Sequence, residues 1–429
     1  MDLLNVEIIS KEMIKPSSPT PNHLRKLKLS FLDQISPQVY VPLIFFYRNY
    51  ELNINHDEVS RLLKQSLSSI LTLFYPLTGR IQQNSLIDCN DAGAEFIEAR
   101  VHTRLTQVIE EPRMEELQQL LPVEPLGQTD DKAILSVKIN FFNCGGTAIG
   151  VCLSHKIADG VSSVAFINAW AAACRGEAED IQPSFDLAFH FPPKDLFGSS
   201  ITPNVGVAKE KITTKRLVFD KEKLAKLKQV VASGEVKNPT RVEALSAFIW
   251  RHFIQAARTK TNTRNITSFA GVHAVNLRPR AIPPIPAHAF GNCWRPAIAI
   301  LSQTEDSNYD LVTKLRYAIT EIDDGYIKKL QCEDYLSNLS KWIDFFKKDI
   351  QVCNFTSWCK FPMYKVDFGW GKPVWICTTT LPFKNLVVFM SSSSEDGIEA
   401  WVNVPDDDLE MLETHYKQLN VVNSVDIDV

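Results

Sequence analysis

The stretch that most narrows the choice of fold lies between Ile134 and Cys174. Two β-forming runs, Ile134–Phe142 (ILSVKINFF) and Thr147–Ser154 (TAIGVCLS), flank Asn143-Cys144-Gly145-Gly146. An N-x-G-G turn between such runs predicts a β-hairpin, because glycine supplies the positive φ that tight hairpin turns need. The second run leads straight into His155. Asp159 and Gly160 then open an apolar segment, Gly160–Cys174 (GVSSVAFINAWAAAC). It reads as a helix with a small-residue face suited to close packing on a sheet.

The same alternation of helical and strand-like patterns runs through the rest of the chain and predicts an α/β protein. His56–Arg80 carries apolar residues at helical spacing and is stopped by Tyr75-Pro76. The second half opens with a strand (TTKRLVFD), then helices over Lys221–Ser233 and about Arg241–Lys260. Further strand-like runs follow: SFAGVHAVNL, AIAIL, VWICTTT, NLVVFMSS and IEAWVNV. At 429 residues the chain exceeds the size at which one hydrophobic core stops growing, so two domains are expected. Between Arg175 and Lys211 the texture changes to Pro, Gly, Ser and charge without a period, as in a functional loop or interdomain linker. The expected division is a first domain over 1–180, a connecting loop over 181–212 and a second domain over 213–429.

Composition excludes several function classes. A net charge of −4 argues against a nucleic-acid-binding face, which needs concentrated basic residues. No apolar run approaches the length of a membrane span. The N-terminal residues lack the pattern of a secretory or transit signal and the C-terminal residues carry no retention or lipidation motif, so a cytoplasmic location is expected. Nine cysteines without a C-x-x-C pair fit free thiols in a reducing compartment. Neither paired cysteines nor H-E-x-x-H is present, so no metal site is expected. A G-x-S-x-G elbow, a P-loop and a G-x-G-x-x-G are all absent, and Asp367-Phe368-Gly369 lacks the partner motifs of a kinase.

His155 remains as the residue with chemistry to offer. A lone histidine at a strand end is more often a hydrogen-bonded structural residue than a catalyst. Here three features favour proton transfer: a rigid strand end holds the ring, Gly160 lets backbone approach closely, and Asp159 is the single acidic neighbour at ligand spacing. Imidazole titrates near neutrality, as a base for an alcohol must. Asp159 either orients that imidazole, as in a triad, or is structural. Asp367-Phe368-Gly369-Trp370-Gly371, followed by Lys372-Pro373, describes a rigid irregular loop.

Taken together, HKIADG at His155–Gly160 and DFGWG at Asp367–Gly371 resemble the two diagnostic motifs of the plant BAHD acyltransferases, which acylate alcohols or amines from acyl-CoA. LSFLDQ (Leu29–Gln34), FYPLTGR (Phe74–Arg80), NLRPR (Asn276–Arg280), AFGNC (Ala289–Cys293) and FTSWC (Phe355–Cys359) extend the resemblance over nearly the whole chain. Stretches such as IKPSSPTP, NAWAAACRGE and DFGWGKPVWICTTT are most similar to the alkaloid-acetylating branch, whereas Gly160 follows the general family pattern. The resemblance implies two similar-sized chloramphenicol acetyltransferase-like α/β domains, joined by a long crossover loop, with a solvent channel between them. It implies His155 as general base and Thr356 and Trp358 as donors to the oxyanion. Asp159, Gly160, Arg278, Asp367, Gly369, Trp370 and Gly371 are then structural, with Asp159 paired to Arg278. It further implies a monomer that takes acyl-CoA, most readily acetyl-CoA, as co-substrate, holds no permanent cofactor and acylates a small hydroxylated metabolite such as an alkaloid. Acylsugars, terpenoid or phenylpropanoid alcohols, amines, and a catalytically silent binding role are the alternatives. No local motif marks residues contacting CoA.

Overall fold

The computed structural model describes residues 4–48, 55–127, 131–195, 208, 211–259, 266, 268–302, 310–332, 350–405, 413, 414 and 416. Eight strands lie in the first half: β1 (Val6–Ile14), β2 (Lys26–Lys28), β3 (Tyr40–Tyr47), β4 (Arg80–Gln82), β5 (Leu86–Asp88), β6 (Ala94–Val101), β7 (Leu135–Phe142) and β8 (Thr147–Ser154). Seven follow among the described residues: β9 (Ile212–Phe219), β10 (Ser268–Asn276), β11 (Trp294–Ser302), β12 (Ile350–Ser357), β13 (Trp375–Cys377), β14 (Leu386–Ser391) and β15 (Ile398–Pro405). They build two six-stranded mixed sheets, ordered β1-β6-β7-β8-β3-β13 and β11-β10-β12-β14-β15-β9, plus a small sheet β2-β5-β4. The molecule is a two-domain mixed α/β protein.

The hairpin is present as β7–β8, closed by Asn143–Gly146, where Phe142 N–H donates to the Gly146 carbonyl (2.9 Å) and Gly145 takes φ +83°. Both strands are buried along their length, which is why neither shows polar alternation. The helix His56–Leu73, N-capped by Asn55, and the helix Gly160–Cys174 pack against each other over this sheet. Trp170 fixes their contact: its indole N–H donates to Ser66 Oγ (3.1 Å) and to the Leu63 carbonyl (3.3 Å). In the second half the helices Arg241–Thr259 and Leu311–Thr320 lie against each other and the second sheet. The helix expected over Lys221–Ser233 ends at Val230, because Val231 is the C-cap. Of the expected connecting loop, residues 196–207, 209 and 210 lie outside the described residues; before them the chain forms a β-bridge between Ser184 and Ala289 and a short helix, Leu187–His190.

One strand belongs elsewhere than its place in the chain suggests. The run VWICTTT yields β13, which leaves the second half and pairs antiparallel with β3 at the edge of the first sheet. Trp375 stacks on Phe46 with ring centroids 5.1 Å apart, and Thr378 Oγ1 donates to the Pro42 carbonyl (3.0 Å). The Asp367–Gly371 loop goes with it. Asp367 Oδ1 accepts from the N–H groups of Gly369 (2.8 Å) and Gly371 (2.9 Å), whose φ values of +107° and +101° suit glycine. Phe368 and Trp370 meet Tyr47 edge-on, Phe368 does the same to Trp170, and the Arg175 guanidinium donates to the Asp367 carbonyl. The first hydrophobic core therefore contains residues from both halves of the chain. Phe368→Ala should cost about 3–5 kcal/mol by the cavity it opens, measured by denaturant unfolding of the purified variant.

Candidate active site

His155 leaves the sheet directly after β8. Its backbone N–H donates to the Val39 carbonyl (2.9 Å), so the ring emerges from a fixed point. The next residue, Lys156, is fully buried and donates from Nζ to the carbonyls of Gln34 and Ser36 (2.8 Å each). This closes the C-terminal end of the short helix Phe31–Gln34. Asp159 then N-caps the helix Gly160–Cys174, its Oδ1 accepting from Ser162 N–H (2.9 Å).

The Asp159 carboxylate is buried and its partners come from the second half. Arg278 Nη1 lies 2.7 Å from Oδ2, and Cys293 N–H donates to the same oxygen (3.0 Å). Arg278 is 2% exposed. Its remaining donors reach the carbonyls of Ala289 and Gly291 and the hydroxyl of Ser162, all within 3.1 Å. Burial alone would lift the Asp159 carboxyl, but the adjoining guanidinium and the N–H donors bring it below its ordinary value. The pair is an interdomain tie with nearly every donor used.

Facing the His155 ring is Asn292, fully buried in the AFGNC segment. Its Oδ1 lies 3.0 Å from His155 Nδ1, and its Nδ2 donates to the His155 carbonyl (2.7 Å). Trp294 Nε1 also donates to Oδ1 (3.3 Å), and the two rings are 6.1 Å apart. An amide oxygen only accepts, so Nδ1 carries the proton and Nε2 keeps its lone pair. Burial pushes the imidazole below its ordinary value of 6.5, partly opposed by its own carbonyl, Asp159 and Asn292.

Gly160 matters through its missing side chain. A Cβ there would sit 2.6 Å from Phe361 Cε2 and 3.5 Å from Trp358 Nε1. The Trp358 indole thus lies against the N-terminal end of the helix that follows His155, and it packs with the first core. Thr356, on β12, stands in register with Val388 on β14. Val388 belongs to the first core whereas Phe355 and Val387 belong to the second, so Thr356 shares the sheet face turned toward the first half.

His155, Asp159, Gly160, Arg278 and Trp358 are therefore brought to one place. Asp367, Gly369, Trp370 and Gly371 lie beside Arg175, at the other end of a 15-residue helix and so about 20 Å from Gly160. Little in the chain marks Asn292, because an asparagine in a loop has no pattern of its own; its place in AFGNC is the one signal the sequence offers. Among the described residues no group of three His, Cys, Asp or Glu side chains stands together as a metal site, and no helix is long and apolar enough to cross a membrane.

Two mixed sheets, with a buried ion pair between the halves and an imidazole beside it, define a two-domain α/β protein with a candidate base at the seam. The model of the Transferase family matches residues 4–419. Stemmadenine O-acetyltransferase of Catharanthus roseus is 44% identical over 423 residues, 96% of this chain and 97% of that protein. Vinorine synthase of Rauvolfia serpentina is 43% identical over 416 residues, 95% of this chain and 96% of that protein. Its crystal structure superposes with a TM-score of 0.84, covering 97% of this chain and 98% of the other. Limonoid 21-O-acetyltransferase of Citrus sinensis is 36% identical over 417 residues, 96% of each. The chain belongs to this family, the BAHD acyltransferases, and is an acyltransferase.

Arg278→Met should destabilise the protein by about 3–5 kcal/mol, because it leaves a buried carboxylate unpaired. Denaturant unfolding of that variant near neutral pH checks this.

Proposed function

We propose that the chain transfers an acetyl group from acetyl-CoA to a hydroxyl group of an alkaloid, in a ternary complex and without an acyl-enzyme. The observation that carries the reading is the Nδ1 contact of His155 with the Asn292 carbonyl oxygen, which leaves Nε2 able to accept a proton. The relatives support the reaction class, since two of them are named O-acetyltransferases. In this mechanism Nε2 takes the acceptor's hydroxyl proton as its oxygen attacks the thioester carbonyl. The tetrahedral oxyanion receives hydrogen bonds from the Thr356 hydroxyl and the Trp358 indole. The C–S bond then breaks, and the imidazolium returns its proton to the departing CoA thiolate.

The effects differ in size. A positioned general base contributes about 10²–10⁴ in rate. Each oxyanion donor contributes on the order of 3 kcal/mol. Holding both substrates in line contributes on the order of 7–11 kcal/mol in ideal cases. We assign Asp159, Gly160, Arg278 and the Asp367–Gly371 loop to shaping the site rather than to the reaction. The division at 181–212, a channel between two chloramphenicol acetyltransferase-like halves, a monomer and a cytoplasmic location complete the proposal. A terpenoid alcohol is the second acceptor class, on the strength of the limonoid-acetylating relative.

His155→Ala should reduce turnover at least 100-fold while CoA binding persists. The assay is release of CoA thiol from acetyl-CoA with a panel of alkaloid and terpenoid alcohols. Thiol release by the variant at near-normal rate removes His155 as the base. CoA binding without thiol release by the unsubstituted protein, for any donor and acceptor, makes it a silent binding relative. Because the neutral imidazole is the active form and burial lowers its pKa, kcat/KM should hold as pH falls through 6.5 and decline only below it. A pH–rate profile with an acid limb at or above 6.5 contradicts this.

A further inference from the structure

The amide of Asn292 is itself held, and the group that holds it is a second buried carboxylate outside the H-x-x-x-D segment. Asp33, in the helix Phe31–Gln34, is 5% exposed. Its Oδ1 accepts from both the backbone N–H (2.8 Å) and the side-chain Nδ2 (2.9 Å) of Asn292. Its Oδ2 accepts from the backbone N–H (3.0 Å) and hydroxyl (2.6 Å) of Ser30. Four polar contacts converge on one carboxyl group; burial lifts it above its ordinary value, and the hydrogen bonds from Ser30 and Asn292 oppose that rise.

We propose that Asp33 is a positioning residue for the base, which through the Asn292 amide holds His155 in the tautomer with Nδ1 protonated and Nε2 free. The proposal rests on His155 as the base. An asparagine amide can turn over and exchange its oxygen and nitrogen. Turned over, Asn292 would set its oxygen against the Asp33 carboxylate and the His155 carbonyl, and its nitrogen against the Trp294 N–H. Each of these contacts is repulsive. It would also offer a donor to His155 Nδ1, moving the ring proton to Nε2 and removing the lone pair that a base needs. Asp33 supplies the acceptor of this lock and grips Asn292 at two donors from one oxygen. The neutral amide between carboxylate and ring also has a use. A carboxylate directly on Nδ1 would raise the imidazole pKa, whereas the amide passes on orientation and keeps a neutral group against the ring.

The two residues meet from opposite halves of the chain, and the surrounding contacts fix the distance between them. Lys156 ties the His155 loop to the carbonyls that follow Asp33, and Arg278 ties the Asp159 carboxylate to the carbonyl of Gly291, next to Asn292. Asp33 is therefore set against Asn292 by the same contacts that set His155 against it.

Asp33→Asn keeps the shape but has only one acceptor oxygen for the backbone N–H groups of Asn292 and Ser30. With its oxygen toward Asn292 the new N–H₂ meets the Ser30 backbone N–H, and with its oxygen toward Ser30 the N–H₂ meets both Asn292 donors. The expected result is a loss of kcat of about 10- to 100-fold, the scale seen when the partner that orients a metal-bound histidine is removed, with KM for acetyl-CoA little changed. Asn292→Ala should lose a comparable factor. Because Asp33 acts through Asn292, the double variant should be no slower than Asn292→Ala alone. A ¹⁵N spectrum of histidine-labelled enzyme, with the His155 signal identified by its loss in His155→Ala, should show Nε2 unprotonated near neutral pH. It should show the Nε2–H tautomer gaining population in Asp33→Asn.

Turnover of Asp33→Asn within about twofold of the parent overturns the proposal, as does an undiminished Asp33→Asn effect in the Asn292→Ala background. If Asp33→Asn does not fold, the spectrum of the unsubstituted enzyme and the kinetics of Asn292→Ala decide: an Nε2–H His155, or an unimpaired Asn292→Ala, overturns it. An active His155→Ala would instead remove the base itself. An inactive His155→Ala beside fully active Asp33→Asn and Asn292→Ala would remove only the positioning role.

Discussion

The architecture turns on a single buried ion pair, Asp159 with Arg278, at 2.7 Å. Taking both charges out of water costs several kcal/mol per ion, so the pair is tolerable only because nearly every remaining donor and acceptor is also used. That requirement propagates outward. The Arg278 guanidinium needs the carbonyls of Ala289 and Gly291, which pins the loop carrying Asn292. The Asp159 carboxylate needs Ser162 N–H, which fixes the start of the helix packed on the first sheet. A charge pair that contributes little net stability thereby sets the relative placement of the two halves at the point where His155 emerges.

The seam between the halves is built as two layers with different tasks. One consists of aromatic side chains: Trp375 on Phe46, and Phe368 and Trp370 around Tyr47. These bury large apolar area, and such ring pairs tolerate centroid separations over a range of about 4.5–7 Å. The other is polar and tight, running through Arg278, Asp159, Asn292 and Asp33 with distances near 3 Å. The apolar layer holds the halves together and the polar layer defines their register. An imidazole that must present one particular nitrogen benefits from the second kind of contact more than from the first.

How much of this was legible in the chain depends on the range of each interaction. The β7–β8 hairpin and the helix Gly160–Cys174 are local, and turn chemistry and periodicity revealed both with their ends nearly correct. His155 was visible because an apolar strand ends on it. Asn292 was not, since its meaning lies in contacts with residues 137 and 259 positions away. Asp33 looked like one residue of a short motif, and nothing in LSFLDQ says that its carboxylate faces the second half. The same holds for β13: a three-residue strand with an ordinary apolar pattern carries no mark of the sheet it joins. The contact of Gly160 with Phe361 and Trp358 likewise arises only when distant loops meet.

The placement of β13 also bears on how the molecule is made. The chain is synthesised from its N-terminus, and domains generally fold as units in that order. Here the first sheet remains one strand short, with the β3 edge open, until Trp375–Cys377 has emerged from the ribosome. An open edge strand invites pairing with other chains. The nascent first half therefore spends the synthesis of nearly two hundred further residues with an unfilled edge and a partly exposed core. A stop codon anywhere before residue 375 would leave it in that condition permanently.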